Sequence, residues 1–145
     1  MTFLGEDVDQ KMKTNGNKYI DLDYLKQISN GSNEFIFQMI TVFMEEIPIE
    51  IKNLETHLKN KDWPALRATS HKMKPSFSFM GVKELEESIH TIEEYCAAEK
   101  NLDQLPGLIE SIKTITEDVI KELEKEKTLF VVFHHIDLIY LVKWI

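Results

Sequence analysis

A chain of 145 residues with 43% hydrophobic and 29% charged residues has the composition of a folded domain rather than a disordered or low-complexity segment, and it is long enough to bury a full core. Seventeen Lys and Arg against 25 Asp and Glu leave a net charge of −8, which repels nucleic acid and anionic membrane unless a basic patch is concentrated locally. The single cysteine, Cys96, excludes an internal disulfide and a cysteine-built zinc site.

Residues 1–18 read as an arm, with Asn15-Gly16-Asn17 as a turn signal. The opening run MTFLGEDVDQKMKTNG carries acidic residues where a secretory leader is basic, so a cytoplasmic location is expected. Ile20, Tyr24, Leu25 and Ile28 predict a short helix that ends at Asn30-Gly31. Ser32 then caps a long helix in which Ile36, Ile40, Phe43, Ile47, Ile51, Leu54 and Leu58 recur every three or four places. Pro48 removes one backbone hydrogen bond inside it, but the apolar phase runs on across the proline, which predicts one kinked helix rather than two.

Asp62 caps a third segment with Trp63 and Pro64 in its first turn, Leu66, Met73, Phe77 and Met80 inward, and Gly81 as terminator. A fourth turns Leu85, Ile89, Ile92 and Cys96 inward and is expected to leave Glu84, Glu86, Glu87, Glu93 and Glu94 in water. A fifth is expected from about Pro106 to Lys125 on Leu108, Ile112, Ile115, Val119 and Leu123. Four long amphipathic helices with short connections close into an antiparallel four-helix bundle, here an all-α domain over residues 19–126 with a short extra N-terminal helix.

Residues 127–145 form an atypical tail, because the run TLFVVFHHIDLIYLVKWI is apolar nearly all round. A membrane span needs about 20 apolar residues, and His134, His135 and Asp137 would be costly at its centre, so no span is expected. The tail should instead fold onto the bundle or bury itself by self-association with a second copy.

On a helical wheel His71 lies nearly opposite Leu66, Met73 and Phe77, and so faces solvent. Arg67, Lys74 and Ser78 share its face, with Ser70 as a further hydroxyl donor, while Ala68, Pro75 and Phe79 make an apolar strip on the other flank. Cations beside an imidazole favour its neutral form and would stabilise negative charge arriving at the free nitrogen, which is what phosphoryl transfer asks for. The same arrangement also fits a surface histidine among ordinary helix charges.

The run from His71 to Leu85 resembles the signature of histidine-containing phosphotransfer (HPt) domains. In that family the reactive histidine is followed by an apolar residue two places on, Lys at three, a small residue at four, Ser at five, Gly at ten and an apolar residue at fourteen. Met73, Lys74, Ser76, Gly81 and Leu85 occupy the matching places, and Pro75 departs from the pattern at the fourth. The resemblance extends over roughly Ile20 to Lys125 and implies a phosphorelay intermediate. His71 would accept a phosphoryl group from a receiver-domain aspartate, on Nε2, and pass it to another receiver. It further implies Lys74 at the phosphoryl oxygens, Arg67, Ser70, Lys72 and Ser78 in support, and Ala68, Pro75 and Phe79 as the receiver-docking strip. The implied partners are response-regulator receivers and hybrid histidine kinases, with magnesium on the receiver and no cofactor or ATP site on this chain. Pro75 adds bulk beside His71 and cannot bond the His71 carbonyl. Two other readings stay open: a degenerate member that docks receivers without transfer, and a metal-binding bundle built on Glu87-Ser88-Ile89-His90, which lacks the second Glu-x-x-His such sites use. Neither His57 nor His134-His135 has the spacing of a site.

Overall fold

The computed structural model describes residues 16–144, without the side chains of 130, 132–141 and 144. Five α-helices follow one another: α1 Asp23–Ile28, α2 Asn33–Lys59, α3 Trp63–Phe79, α4 Lys83–Ala98 and α5 Leu105–Trp144, the last preceded by a 3-10 turn at Leu102–Gln104. In α2 to α5 neighbours pack in the order α2–α3–α4–α5 and α5 closes back on α2, the antiparallel four-helix bundle that the apolar periodicity predicts.

Local chemistry fixes the helix starts. Ser32 Oγ accepts from the Phe35 N–H at 3.2 Å and Asp62 Oδ1 from the Ala65 N–H at 3.1 Å, each satisfying a donor that the first helical turn leaves free. The helix α2 runs unbroken through Pro48, and α3 through Pro75. The inward faces meet in one core: Ile36, Ile40, Phe43, Ile47, Ile51 and Leu54 from α2, with Leu66, Met73, Phe77 and Met80 from α3 and its end. Opposite them lie Leu85, Ile89, Ile92 and Cys96 from α4 and Leu105, Ile109, Ile112, Val119 and Leu123 from α5. Leu108 and Ile115, expected inward, are half-buried at the edge of that face. Each buried Leu, Ile or Phe contributes about 1.5–3 kcal/mol relative to exposure.

A short strap ties the start of the described chain to the bundle. The carboxylate of Glu122 accepts from the Tyr19 N–H at 2.9 Å and the Ile20 N–H at 3.2 Å. Beside it Asn17 Nδ2 donates to Glu126 Oε1 at 2.8 Å. Ile20, Leu22 and Leu25 then disappear into the core. The Asp21 N–H donates to the Met80 carbonyl at 2.9 Å, and this crossing explains Gly81. Its φ of +66° favours glycine, and a Cβ there would collide with the Asp21 backbone oxygen. Most of the arm expected over residues 1–18 lies outside the described residues; Asn17, within it, is buried.

The helix expected to stop near Lys125 continues as one 40-residue element to Trp144, about 60 Å at 1.5 Å per residue. Lys113 Nζ lies 3.6 Å from Glu55 Oε1 and Lys127 Nζ sits 4.9 Å over the Phe37 ring, so α5 runs antiparallel along α2 and passes the first turn of α2 near residue 131. Beyond that point it extends past the bundle. An unbroken helix offers no turn by which 128–144 could fold back, which removes the first of the two expectations for the tail. No helix among the described residues is long and apolar enough to cross a membrane.

Candidate functional site

The middle of α3 presents His71 to solvent, its side chain 73% exposed. One ring nitrogen is nevertheless held: Nδ1 lies 2.8 Å from Glu93 Oε1 on α4. The other carboxylate oxygen, Oε2, is buried without a well-aligned hydrogen-bond donor, yet Lys74 Nζ stands 3.0 Å from it. The proximity of the ammonium, more than a directed bond, compensates that oxygen. Lys74 Nζ is also 3.5 Å from His90 Nδ1, whose Nε2 faces Glu94 Oε1 at 3.0 Å.

Glu93 is therefore the hub. Burial alone would push its carboxyl pKa up, but interactions with Lys74 and then His71 outweigh burial and bring it below the ordinary 4.5. An ionised carboxylate only accepts hydrogen bonds, so in the neutral imidazole the Nδ1 bound to it carries the proton. The lone pair is then on Nε2, directed away from the anchor. A fixed tautomer with an outward nucleophilic nitrogen follows from one contact.

Glu93 was expected in water with the other glutamates of α4; instead its side chain is only 16% exposed. The signal lay in the wheel: Glu93 is about 40° from Ile89, at the border of the apolar face, where a carboxylate is carried into the α3–α4 seam. Ser70 is the opposite correction. It is fully buried, and its Oγ donates to the Leu66 carbonyl at 2.8 Å, so it belongs to the packing of α3 and cannot support a group on His71.

Arg67 and Ser78 are exposed on the His71 side of α3. Cys96 is core: burial pushes its thiol up to about 11, with Arg67 the opposing, smaller influence. Lys72 points the other way, toward α2, where its Nζ meets Glu50 Oε1 at 2.7 Å. That contact holds the Glu50 carboxyl below its ordinary value against the opposing effect of burial. In the apolar strip Ala68 and Pro75 are exposed and Phe79 is half-buried. The strip extends beyond what sequence spacing indicates. Tyr24 of α1 stacks on Phe79 with centroids 6.2 Å apart, and Val42 and Ile49 stand exposed on α2, the helix that Glu50 ties to Lys72. Among the described residues no three His, Cys, Asp or Glu side chains are grouped to hold a metal ion; Glu87 and His90 gain no further ligand.

An antiparallel bundle with an outward mid-helix histidine whose Nδ1 is tethered to a shielded carboxylate on the neighbouring helix is the architecture of a histidine phosphotransfer module. The Hpt domain family model matches residues 38–125, more than half of the chain, and the chain belongs to the Hpt domain family. A phosphorelay intermediate protein, rdeA, of Dictyostelium discoideum is 26% identical over 110 residues, covering 76% of this chain. The match spans 43% of the length of that relative. Among solved structures, the crystal structure of histidine-containing phosphotransfer protein B from Pseudomonas aeruginosa PAO1 superposes with a TM-score of 0.70 at 23% identity, over 76% of this chain and 95% of that one. It shares the fold.

Proposed function

We propose that this chain is a phosphorelay intermediate that carries a phosphoryl group on Nε2 of His71 between aspartates of two receiver domains. The observation that carries the reading is the 2.8 Å contact of Nδ1 of the otherwise exposed His71 ring with the largely shielded Glu93 carboxylate. The Nε2 lone pair attacks phosphorus of a receiver aspartyl phosphate, an N–P bond forms, and the P–O bond to the receiver breaks and returns its carboxylate. No proton needs to move. The ring keeps Nδ1–H and becomes cationic, and Glu93 stabilises that charge at the place where it develops. Lys74 is near enough to share its charge between Glu93 and the arriving phosphoryl oxygens. The reverse step on a second aspartate unloads the carrier.

In this reading magnesium resides on the receiver, and the receivers, free or within a hybrid histidine kinase, dock in the cytoplasm on Ala68, Pro75 and Phe79. Tyr24, Val42 and Ile49 enlarge that surface and Lys72 borders it. Arg67 and Ser78 border the ring on the other side. Self-association belongs to the proposal as well, since the apolar run of α5 extends past the bundle and a second copy would cover it. Removing residues 128–145 should then lower the molecular mass in solution without lowering transfer.

The test of the carrier role is direct. A receiver charged with labelled phosphoryl should give acid-labile label to the wild-type chain and none to His71→Gln, with the helical circular dichroism of the two unchanged. Label persisting on the folded variant would reject His71, and no label on either chain would leave a protein that docks receivers without transfer.

A further inference from the structure

We propose that the backbone carbonyl of His71, deprived of its helical donor by Pro75, is a recognition acceptor for the docked receiver, and that Pro75 thereby selects which receivers this chain serves. The inference rests on the receiver-docking reading above, and it assigns that reading its specificity element.

The helix α3 continues unbroken from Trp63 to Phe79 with Pro75 inside it. In such a helix the carbonyl of residue 71 bonds the N–H of residue 75, and proline has none. The three other helical prolines do not create the same feature, and Pro106 is excluded at once because it sits in the first turn of α5. Pro64 sits in the first turn of α3, where its N–H would have had no helical partner. Pro48 frees the Met44 carbonyl on α2, but both residues are half-buried. Only at Pro75 are the proline and the residue whose carbonyl it frees both exposed, and that residue is His71.

Solvent-side carbonyls of a helix tilt outward toward water, and the more so where a proline opens the ladder. Pro75 lies about 40° around α3 from His71, one turn along. Any domain that brings an aspartyl phosphate against Nε2 must also cover this turn. In the free protein water satisfies the carbonyl at little cost. In the docked complex water is excluded, and an acceptor covered without a donor costs roughly a factor of ten in affinity. A receiver that offers a backbone N–H, hydroxyl or ammonium there is accepted, and one that offers only apolar surface is penalised. Selection by penalty is a general route to specificity.

The experiment uses the full chain and a panel of receiver domains held in the activated state with beryllofluoride, with Kd measured by titration calorimetry. Pro75→Ala restores the N–H and closes the helical bond to His71; Pro75→Val does so while keeping a side chain of about the proline's bulk. Both residues are better helix formers than proline, so both variants should fold. The receivers that bind the wild type best should bind both variants about three- to tenfold more weakly. Those it binds worst should gain by a similar factor, so that the spread of Kd across the panel narrows. Unchanged Kd values in both variants would overturn the proposal, as would a loss in Pro75→Ala alone, which would mark contact with the ring rather than the carbonyl. Failure of every receiver to bind the wild type would overturn it too. Labelling of the wild-type chain by phosphoramidate reports separately on the carrier role: a narrowed panel with no label on His71 would leave the carbonyl contact standing and remove phosphotransfer.

Discussion

Two carboxylates grip the same stretch of α3 from opposite flanks. Glu93 reaches across from α4 to His71 and Lys74, and Glu50 reaches across from α2 to Lys72. They are almost equally shielded, at 16% and 15% exposure, and both are held below the ordinary carboxyl pKa by cationic neighbours. Yet one binds Nδ1 of His71, opposite the nitrogen proposed to carry the phosphoryl group, while the other binds only a cation that is itself 70% exposed. Burial and a perturbed carboxyl therefore do not mark the working residue; its partner does. The asymmetry also leaves the α2 flank of the histidine free for the apolar strip, because the anchor is entirely on the α4 side.

The largest effect should come from breaking the Glu93 side. Glu93→Ala removes the acceptor that fixes the His71 tautomer, and labelling by phosphoramidate should slow by about tenfold, the low end for a hydrogen bond to a charged group given how exposed the ring is. Glu93→Gln keeps an acceptor oxygen but loses the charge and should recover part of that loss, whereas Glu50→Ala should label at the wild-type rate. Equal slowing in the two alanine variants would dissolve the distinction between the flanks. The pH dependence carries the same sign for both carboxylates. A carboxyl whose pKa is lowered by folding contributes stability that is complete above its unfolded value near 4.5 and is lost as pH falls through the folded value. Acid unfolding monitored by circular dichroism should thus become less steep in Glu93→Gln.

Much of the bundle is legible in the sequence because helix periodicity is a property of single segments. Ile36 to Leu54 on one face of α2, and Leu85 to Cys96 on one face of α4, need no knowledge of their neighbours. The family signature likewise brings His71 and Lys74 together without reference to packing. Glu93 is not legible in that way: its role depends on which helix faces α4 and at what height, and a border position on a wheel admits both water and a seam. Ser70 fails for the converse reason, since a hydroxyl beside a histidine reads as a donor until its own Leu66 carbonyl is seen to take it. Gly81 matches the signature, but the cause is tertiary, namely the Asp21 backbone crossing its face. The continuation of α5 past Lys125 escaped because an all-round apolar run has no phase to extend.

Lys74 sharpens the comparison at an intermediate scale. A wholly solvated helix lysine would cost less than about 0.5 kcal/mol on removal. Lys74 instead compensates a buried Glu93 oxygen, so Lys74→Ala should destabilise by about 1 kcal/mol, the cost of leaving a shielded acceptor unmatched. Denaturant titration reads that loss. Transfer from a charged receiver should slow by roughly three- to tenfold, the scale of one charge-assisted contact at a partly hydrated site. A variant as stable and as fast as wild type would make Lys74 an ordinary surface charge.

The smallest effect should be that of Lys72→Ala, on the flank where the ion pair holds nothing reactive. The 2.7 Å contact with Glu50 is shorter than any that Lys74 makes, but length alone is a poor guide to its worth. A lysine that is 70% exposed gives up conformational freedom to hold one geometry, and water and salt screen what it gains, so a pair of this kind contributes little. The unfolding midpoint should therefore stay close to that of wild type, and the difference should shrink further in 1 M salt, where exposed charges are screened within about 3 Å. Phosphoramidate labelling should be unaffected, because Lys72 touches neither His71 nor Glu93. Receiver binding is where a difference should appear: Lys72 borders the strip made by Ala68, Pro75 and Phe79, and loss of a rim charge slows association more than it speeds dissociation. A stopped-flow measurement separates the two rates. Labelling slowed in Lys72→Ala as much as in Lys74→Ala would mean that both flanks of α3 serve the histidine, and that the partner of a carboxylate does not decide its role.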